Sequence, residues 1–244
     1  MPQKFNSADE QSTGEYLPSA LATEVCLDLT AVSPDTAEIY RYIGYPRDAV
    51  PMPSITQRIE QILPEARLSL RFRGTYTLYA VTGQNEGSLQ IGGVTIFGNI
   101  GEFLAEVNRI AVFVVTAGEE ISRLSEDAAQ KGDVFAAWVM DALGSWAAEA
   151  AADALMERIR KHLHNEEALT LRYSPGYCGM DIAQQRILFK LARADSVGVE
   201  LIPSLLMHPL KSVSGIVGLG PKEVVSRYHS PCAYCTQVGC HMRR

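Results

Sequence analysis

The sequence predicts an α+β fold, a single domain in which a twisted antiparallel sheet is flanked by helices. Three observations lead there. Strand-like and helical runs follow one another in mixed order, with no internal repeat, heptad run or low-complexity linker between them. The segment Arg109 to Thr116, RIAVFVVT, is a continuous apolar run of strand length. Val134 to about Leu163 is a long, alanine-rich stretch of helical character.

The remaining elements follow in chain order. Ser33-Pro34-Asp35 opens a short helix through Arg41 and Tyr42, with Ser33 as N-cap and Pro34 in the first turn. Gly44, Pro46, Pro51 and Pro53 break it, and Ser54 is placed to cap a second helix through Leu63, in which Ile55, Ile59, Ile62 and Leu63 recur at helical spacing. Alternation of Leu68, Leu70 and Phe72 with Arg67, Ser69, Arg71 and Arg73 predicts a strand from Leu68 to Val81 with a bulge at Gly74. Gly83 to Gly87 is a turn, and Leu89 to Phe97 a second strand interrupted at Gly92-Gly93. Glu119 to Gln130 has helical spacing, and Gly132 separates it from the long helix. Ala168 to Leu171 is strand-like, Asp181 caps a helix from Ile182 to about Ala194, and Val199 to Leu206 and Lys211 to Leu219 are two further strands.

A chain of 244 residues, 47% hydrophobic, has ample length to bury a core. The formal net charge of −6 and the scatter of the basic residues disfavour nucleic acid as a partner. Residues 1–20 are expected to be poorly ordered and lack the positive-then-apolar order of a signal peptide, which points to the cytoplasm. Val134 to Met156 is the most hydrophobic long stretch, but Asp141, Glu149 and Asp153 make it a buried helix of a soluble protein and not a membrane span.

Five cysteines are distributed unevenly: Cys26 and Cys178 alone, then Cys232, Cys235 and Cys240 in a C-terminal tail, residues 226–244. Thiols this close together can gather round one zinc ion or iron–sulfur cluster, with Cys178 the first candidate for a fourth ligand and His229 and His241 behind it. Ordinary reduced cysteines near a chain end are the other reading. The spacing is not the C-x3-C-x2-C of radical enzymes, and neither a Gly-rich phosphate loop nor a serine nucleophile signature is present. His208, between Met207 and Pro209, is expected to be packed in the core or a pocket, and His162 and His164 to favour the C-terminal end of the long helix.

The stretch Arg172 to Tyr177, RYSPGY, joins an arginine, whose fork takes a carboxylate bidentately, to a Pro-Gly-Tyr turn that lets a ligand approach the backbone. Upstream, Glu149, Asp153 and Glu157 recur at i, i+4 and i+8 along one helix face. Glu149 is flanked by Ala147, Ala148, Ala150, Ala151 and Ala152, which leave room beside it and make it a candidate ligand contact; Asp153 and Glu157 read as structural. A salt bridge between Arg172 and the helix carboxylates is compatible with ligand binding if the two alternate between empty and loaded states.

With these segments in order, the chain resembles the activation domain of cobalamin-dependent methionine synthase. The helix ALGSWAAEAAADALMERIR, Ala142 to Arg160, precedes the Arg-x-x-x-Gly-Tyr motif, and Met207, Pro209, Ser212, Val213, Ser214 and Gly215 match the family's Met-x-Pro-x-x-Ser-Val-Ser-Gly segment. The likeness is close over Ala142 to Pro221 and looser in the N-terminal half, including RYIGYP at Arg41 to Pro46. It implies that residues 21–225 form one such module. It also implies that S-adenosylmethionine is the ligand, with Arg172 on the carboxylate of its methionine moiety, Glu149 at the place of the family's ligand-binding glutamate, and backbone groups around Ser174, Gly176 and Tyr177 lining the adenosyl portion. The implied role is reductive reactivation of cobalamin on a separate corrinoid-binding protein or methyltransferase, helped by an electron donor, in a split methionine synthase or a related system. The alternative is a zinc or iron–sulfur electron-transfer or interaction module that kept the fold alone. The chain departs from the family at Ile216 and Val217, where aromatics are usual, and at Val224 and Val225, the positions nearest to a tyrosine pair.

Overall fold

The computed structural model describes residues 22–26, 34, 36–46, 49–104, 106–177 and 179–227. In chain order these form β1 (Ala22–Cys26), α1 (Thr36–Tyr42), α2 (Pro53–Leu68), β2 (Arg73–Asn85), β3 (Ser88–Ile91), β4 (Val94–Phe97), α3 (Ile100–Phe103), β5 (Arg109–Thr116), α4 (Glu120–Gln130), α5 (Val134–Arg160) and β6 (Glu167–Leu169). A 3-10 turn at Ile182–Gln184 then leads into α6 (Gln185–Ala192), followed by β7 (Glu200–Leu201), β8 (Met207–His208), β9 (Ser212–Pro221) and α7 (Lys222–Val225).

Among the described residues seven strands make one antiparallel sheet in the order β4-β3-β2-β5-β9-β6, with β1 added to β2. Strand β2 is long enough for its outer edge to be divided. Residues Arg73 to Thr77 pair with β1 and Val81 to Asn85 with β3, while the opposite edge pairs with β5 from Arg73 to Ala80. Strand β5 is central and buried on both faces, which is why its sequence is apolar without alternation. Ile110, Val112 and Val114 face a core shared with α3 and α6, whereas Ala111, Phe113 and Val115 face α5.

The long helix α5 serves two cores. Its first half packs with α1, α2 and α4 through Val139, Leu143 and Trp146, and its second half lies on the sheet through Ala151, Ala152, Leu155 and Ile159. Small side chains at the crossing bring the helix close to the strands. Asp133 caps it by accepting a hydrogen bond from the Ala136 amide at 3.0 Å and pairs with Arg58 on α2. At the start of β9, Lys211 is buried; its Nζ donates to Asp141 at 2.6 Å and to Ser145 at 2.9 Å, fixing that strand to α5.

Several expectations are corrected. Pro53 occupies the first turn of α2 after Met52, so Ser54 is not the cap, and the helix runs on to Leu68 because Ile62, Leu63 and Ala66 continue its buried face past Pro64. The alternation beginning at Leu68 therefore belongs to a helix end and a connection in which Leu70 and Phe72 pack onto the helical core. The register of β2 on β5 is continuous through Gly74; the irregularity falls between Val81 and Gly83. Gly92 and Gly93, at φ of 54° and 76°, form a two-residue hairpin between β3 and β4 instead of interrupting one strand. Of Val199 to Leu206 only Glu200–Leu201 is strand, paired with Met207–His208 across a tight turn. The strand expected over Lys211 to Leu219 is β9, which runs unbroken from Ser212 to Pro221. Arg109–Thr116, the helix ending at Gln130 and the Asp181 cap, whose carboxylate accepts from the Ala183 amide at 2.7 Å, stand where the sequence places them.

Candidate functional site

The site forms where β6 runs out beside β9 and turns over the second half of α5. Beyond Leu169 the chain stays next to β9: the Tyr173 amide donates to the Ile216 carbonyl at 2.9 Å and the Ile216 amide returns to Tyr173 at 2.8 Å. Tyr173 is 1% exposed and its ring stacks on Phe103 at a centroid distance of 5.4 Å. Extended backbone sends neighbouring side chains to opposite faces, so anchoring Tyr173 on the α3 and α6 side delivers Arg172 to the α5 side.

There Arg172 meets the acidic face of α5. Its Nη2 donates to Glu149 Oε2 at 3.0 Å and lies 3.0 Å from Asp153 Oδ1. Its Nη1 is buried and has no hydrogen-bond partner. The guanidinium-bearing side chain is 18% exposed, against 38% for Glu149 and 67% for Asp153, so the cation sits deepest and the carboxylates open toward solvent. The two carboxylates leave the cluster one negative charge in excess. Glu157, the third member of the row, instead pairs with Arg160 on its own helix.

The turn after Tyr173 is held by main-chain bonds. The Tyr177 amide donates to Ser174 at 3.2 Å, the Gly176 amide to Met180 at 2.7 Å and the Met180 amide to Tyr177 at 3.0 Å. Pro175 is buried beneath it, while Gly176, at φ of 91°, and Tyr177, 62% exposed, face outward. Close approach to β9 requires a glycine opposite: a Cβ on Gly215 would lie 2.6 Å from the Tyr173 carbonyl oxygen and 3.1 Å from Ser174 Oγ. Thus the Ser-Val-Ser-Gly segment and the RYSPGY turn, distant in sequence, are packed backbone to backbone.

The structure brings Glu149 and Arg172 into contact and sets Ser174, Gly176 and Tyr177 in the adjoining turn. Asp153, for which the sequence predicts a structural place on the helix, belongs to the same cluster; spacing alone carries no signal of which carboxylate in the row meets the guanidinium. Ile216 and Val217 are fully buried in β9 and Val224 is 7% exposed, so these three departures from the family pattern lie in the core, while Val225 is half-buried. His208 is not packed: its side chain is 50% exposed, 3.8 Å from Glu119. His162 Nε2 lies 2.7 Å from the Tyr76 hydroxyl. Cys178, Cys232, Cys235 and Cys240, with His229 and His241, lie outside the described residues, and among the described residues no group of three His, Cys, Asp or Glu is placed to hold a metal ion. No helix among them is long and apolar enough to cross a membrane. A cleft of about 600 Å³ lies elsewhere, lined by Leu68, Ser69, Arg71, Arg73, Gly118, Glu119 and Glu120.

The fold has a counterpart among solved structures. The crystal structure of the MetH reactivation domain bound to AdoHcy superposes with a TM-score of 0.64 at 19% sequence identity, over 87% of this chain and 81% of that one. No curated protein matches the chain. The family model for the activation domain of vitamin B12-dependent methionine synthase matches residues 100–230, which hold α5, the RYSPGY turn and β9. That match spans more than half of the chain, and the protein therefore belongs to the vitamin B12-dependent methionine synthase activation domain family.

Proposed function

We propose that this protein binds S-adenosylmethionine at the Glu149–Arg172 cluster and serves the reductive reactivation of a corrinoid held by a partner protein or domain. The observation that carries the reading is the contact itself: a largely buried guanidinium with an unpartnered Nη1, beside a carboxylate, suits the carboxylate and ammonium of an amino-acid end. Arg172 takes the ligand carboxylate, Glu149 the ammonium, and the Ser174, Gly176 and Tyr177 turn lines the adenosyl portion. The sulfonium, when bound, supplies an irreversible methyl donation that draws forward an otherwise uphill reduction of cobalt.

The protein's part is position and charge, not proton transfer. Main-chain bonds fix the turn before ligand arrives, so little ordering is left to binding. The open disposition of Glu149 leaves the ligand accessible to a second large molecule. Family membership supports the corrinoid partner. Adding this protein to a separately purified, oxidised corrinoid methyltransferase with a chemical reductant tests whether it acts in trans.

Titration calorimetry with S-adenosylmethionine tests the binding. Charge-assisted hydrogen bonds contribute about 1.5–3 kcal/mol, so Arg172→Ala is expected to weaken affinity roughly 10- to 100-fold. Equal affinity in the two proteins, or none in the native one, refutes the reading.

A further inference from the structure

The Arg172 guanidinium is shared by two acidic residues with different surroundings. Glu149 receives a hydrogen bond from Nη2, while Asp153, one helical turn on, lies at the same 3.0 Å from that nitrogen and is the more exposed, 67% against 38%. A guanidinium takes a carboxylate best through two parallel N–H groups. Here one of the two Nη atoms is buried without a partner, and the other is occupied twice.

We infer that Asp153 is a positioning residue, a built-in stand-in for the ligand carboxylate. It holds the Arg172 fork in place while the site is empty and yields when an external carboxylate arrives. Exposure makes Asp153 the member free to leave: its carboxylate is rehydrated on release, whereas Glu149 keeps its hydrogen bond. Three carboxylates round one cation would repel, so the exchange also favours ligands that bring an ammonium with their carboxylate. This inference rests on the proposed ligand class and adds a competition built into the protein.

The test uses the full chain with Asp153→Asn, and Glu157→Gln as a variant that removes the same charge one turn away, where Glu157 pairs with Arg160. Calorimetry compares S-adenosylmethionine with its decarboxylated analogue. Relief of an exposed ion pair predicts about two- to fivefold tighter binding of S-adenosylmethionine by Asp153→Asn, with no tightening of the analogue and no change for Glu157→Gln. Where the native protein binds S-adenosylmethionine, unchanged or weaker binding by Asp153→Asn, or equal tightening in both acidic variants, overturns the inference. A ligand-free readout separates it from the functional reading: phenylglyoxal labelling of Arg172, followed by peptide mass mapping, is expected to quicken at least twofold in Asp153→Asn alone. Labelling that quickens in a protein that binds no S-adenosylmethionine would sink the ligand assignment and keep the latch; unaltered labelling sinks the latch.

Discussion

Gly215→Ala is the substitution that best separates this architecture from a looser one. The new Cβ would stand 2.6 Å from the Tyr173 carbonyl oxygen, about 0.8 Å short of the 3.4 Å at which ordinary van der Waals contact begins. The obstructing atom is backbone, and it accepts the 2.8 Å hydrogen bond from the Ile216 amide, so the two segments can separate only by stretching that bond. Overpacking costs about 1–3 kcal/mol and a weakened hydrogen bond about 1 kcal/mol, together roughly 2–4 kcal/mol. At about 2–4 °C per kcal/mol for a chain of this size, melting should fall on the order of 10 °C. The displaced turn carries Arg172 with it, so affinity for S-adenosylmethionine should drop about tenfold in the protein that remains folded. Gly220→Ala, further along β9, is the comparison: its Cβ meets Val107 Cγ1 at 3.1 Å and Cα at 3.2 Å, contacts relieved by a shift of a few tenths of an ångström, and is expected to cost about 1.5 kcal/mol or less with unchanged affinity. A Gly215→Ala protein that melts and binds like the native one would refute the claim that the turn is seated on β9 through this glycine.

Two other predictions concern stability. Asp141→Ala leaves the Lys211 ammonium, 9% exposed, with Ser145 as its remaining partner; loss of the charged hydrogen bond is expected to lower stability by about 1.5–3 kcal/mol in urea melts. Lys211→Met, which removes the buried charge instead of stranding it, should cost less, and the reverse order would refute the ion-pair account. For Glu167, burial pushes the carboxyl upward, but the His164 amide at 2.8 Å and the Arg109 guanidinium outweigh it and hold the pKa below its ordinary value. A lowered folded-state pKa contributes stability above the unfolded value and loses it as the pH falls through the folded one. Stability of the native protein should thus decline through the acid range below the ordinary glutamate pKa more steeply than that of Glu167→Gln; parallel curves would refute the assignment.

What the sequence disclosed, and what it hid, follows from where each signal originates. Arg109–Thr116 was legible because a central strand buried on both faces admits only apolar residues, and α5 because its spacing persists over 27 residues. The start of β2 was hidden because Leu68, Leu70 and Phe72 alternate for a reason that belongs to α2 and its exit, not to a sheet. The Gly92-Gly93 hairpin was read as an interruption because two short strands with a tight turn have the same composition as one strand with a defect. Glu149 and Arg172 could be paired from motif order, yet Asp153 could not, since a row of carboxylates at helical spacing is the same whether it faces water or a guanidinium. That distinction is made by β6 and β9, which bring Arg172 in from outside the helix.

The pairing with β9 on either side of Arg172 shows how this stretch of chain can vary in length. From Thr170, whose amide donates to the Gly218 carbonyl, to Tyr173, opposite Ile216, three residues of the segment run against two of β9, and the extra residue sets the facing of Arg172 toward α5 and of the Tyr173 ring toward Phe103. A ladder that has already slipped by one residue makes this stretch the place where the segment can shorten by one and still keep Tyr173 opposite Ile216, a freedom it shares with the exposed crest at Gly176 and Tyr177.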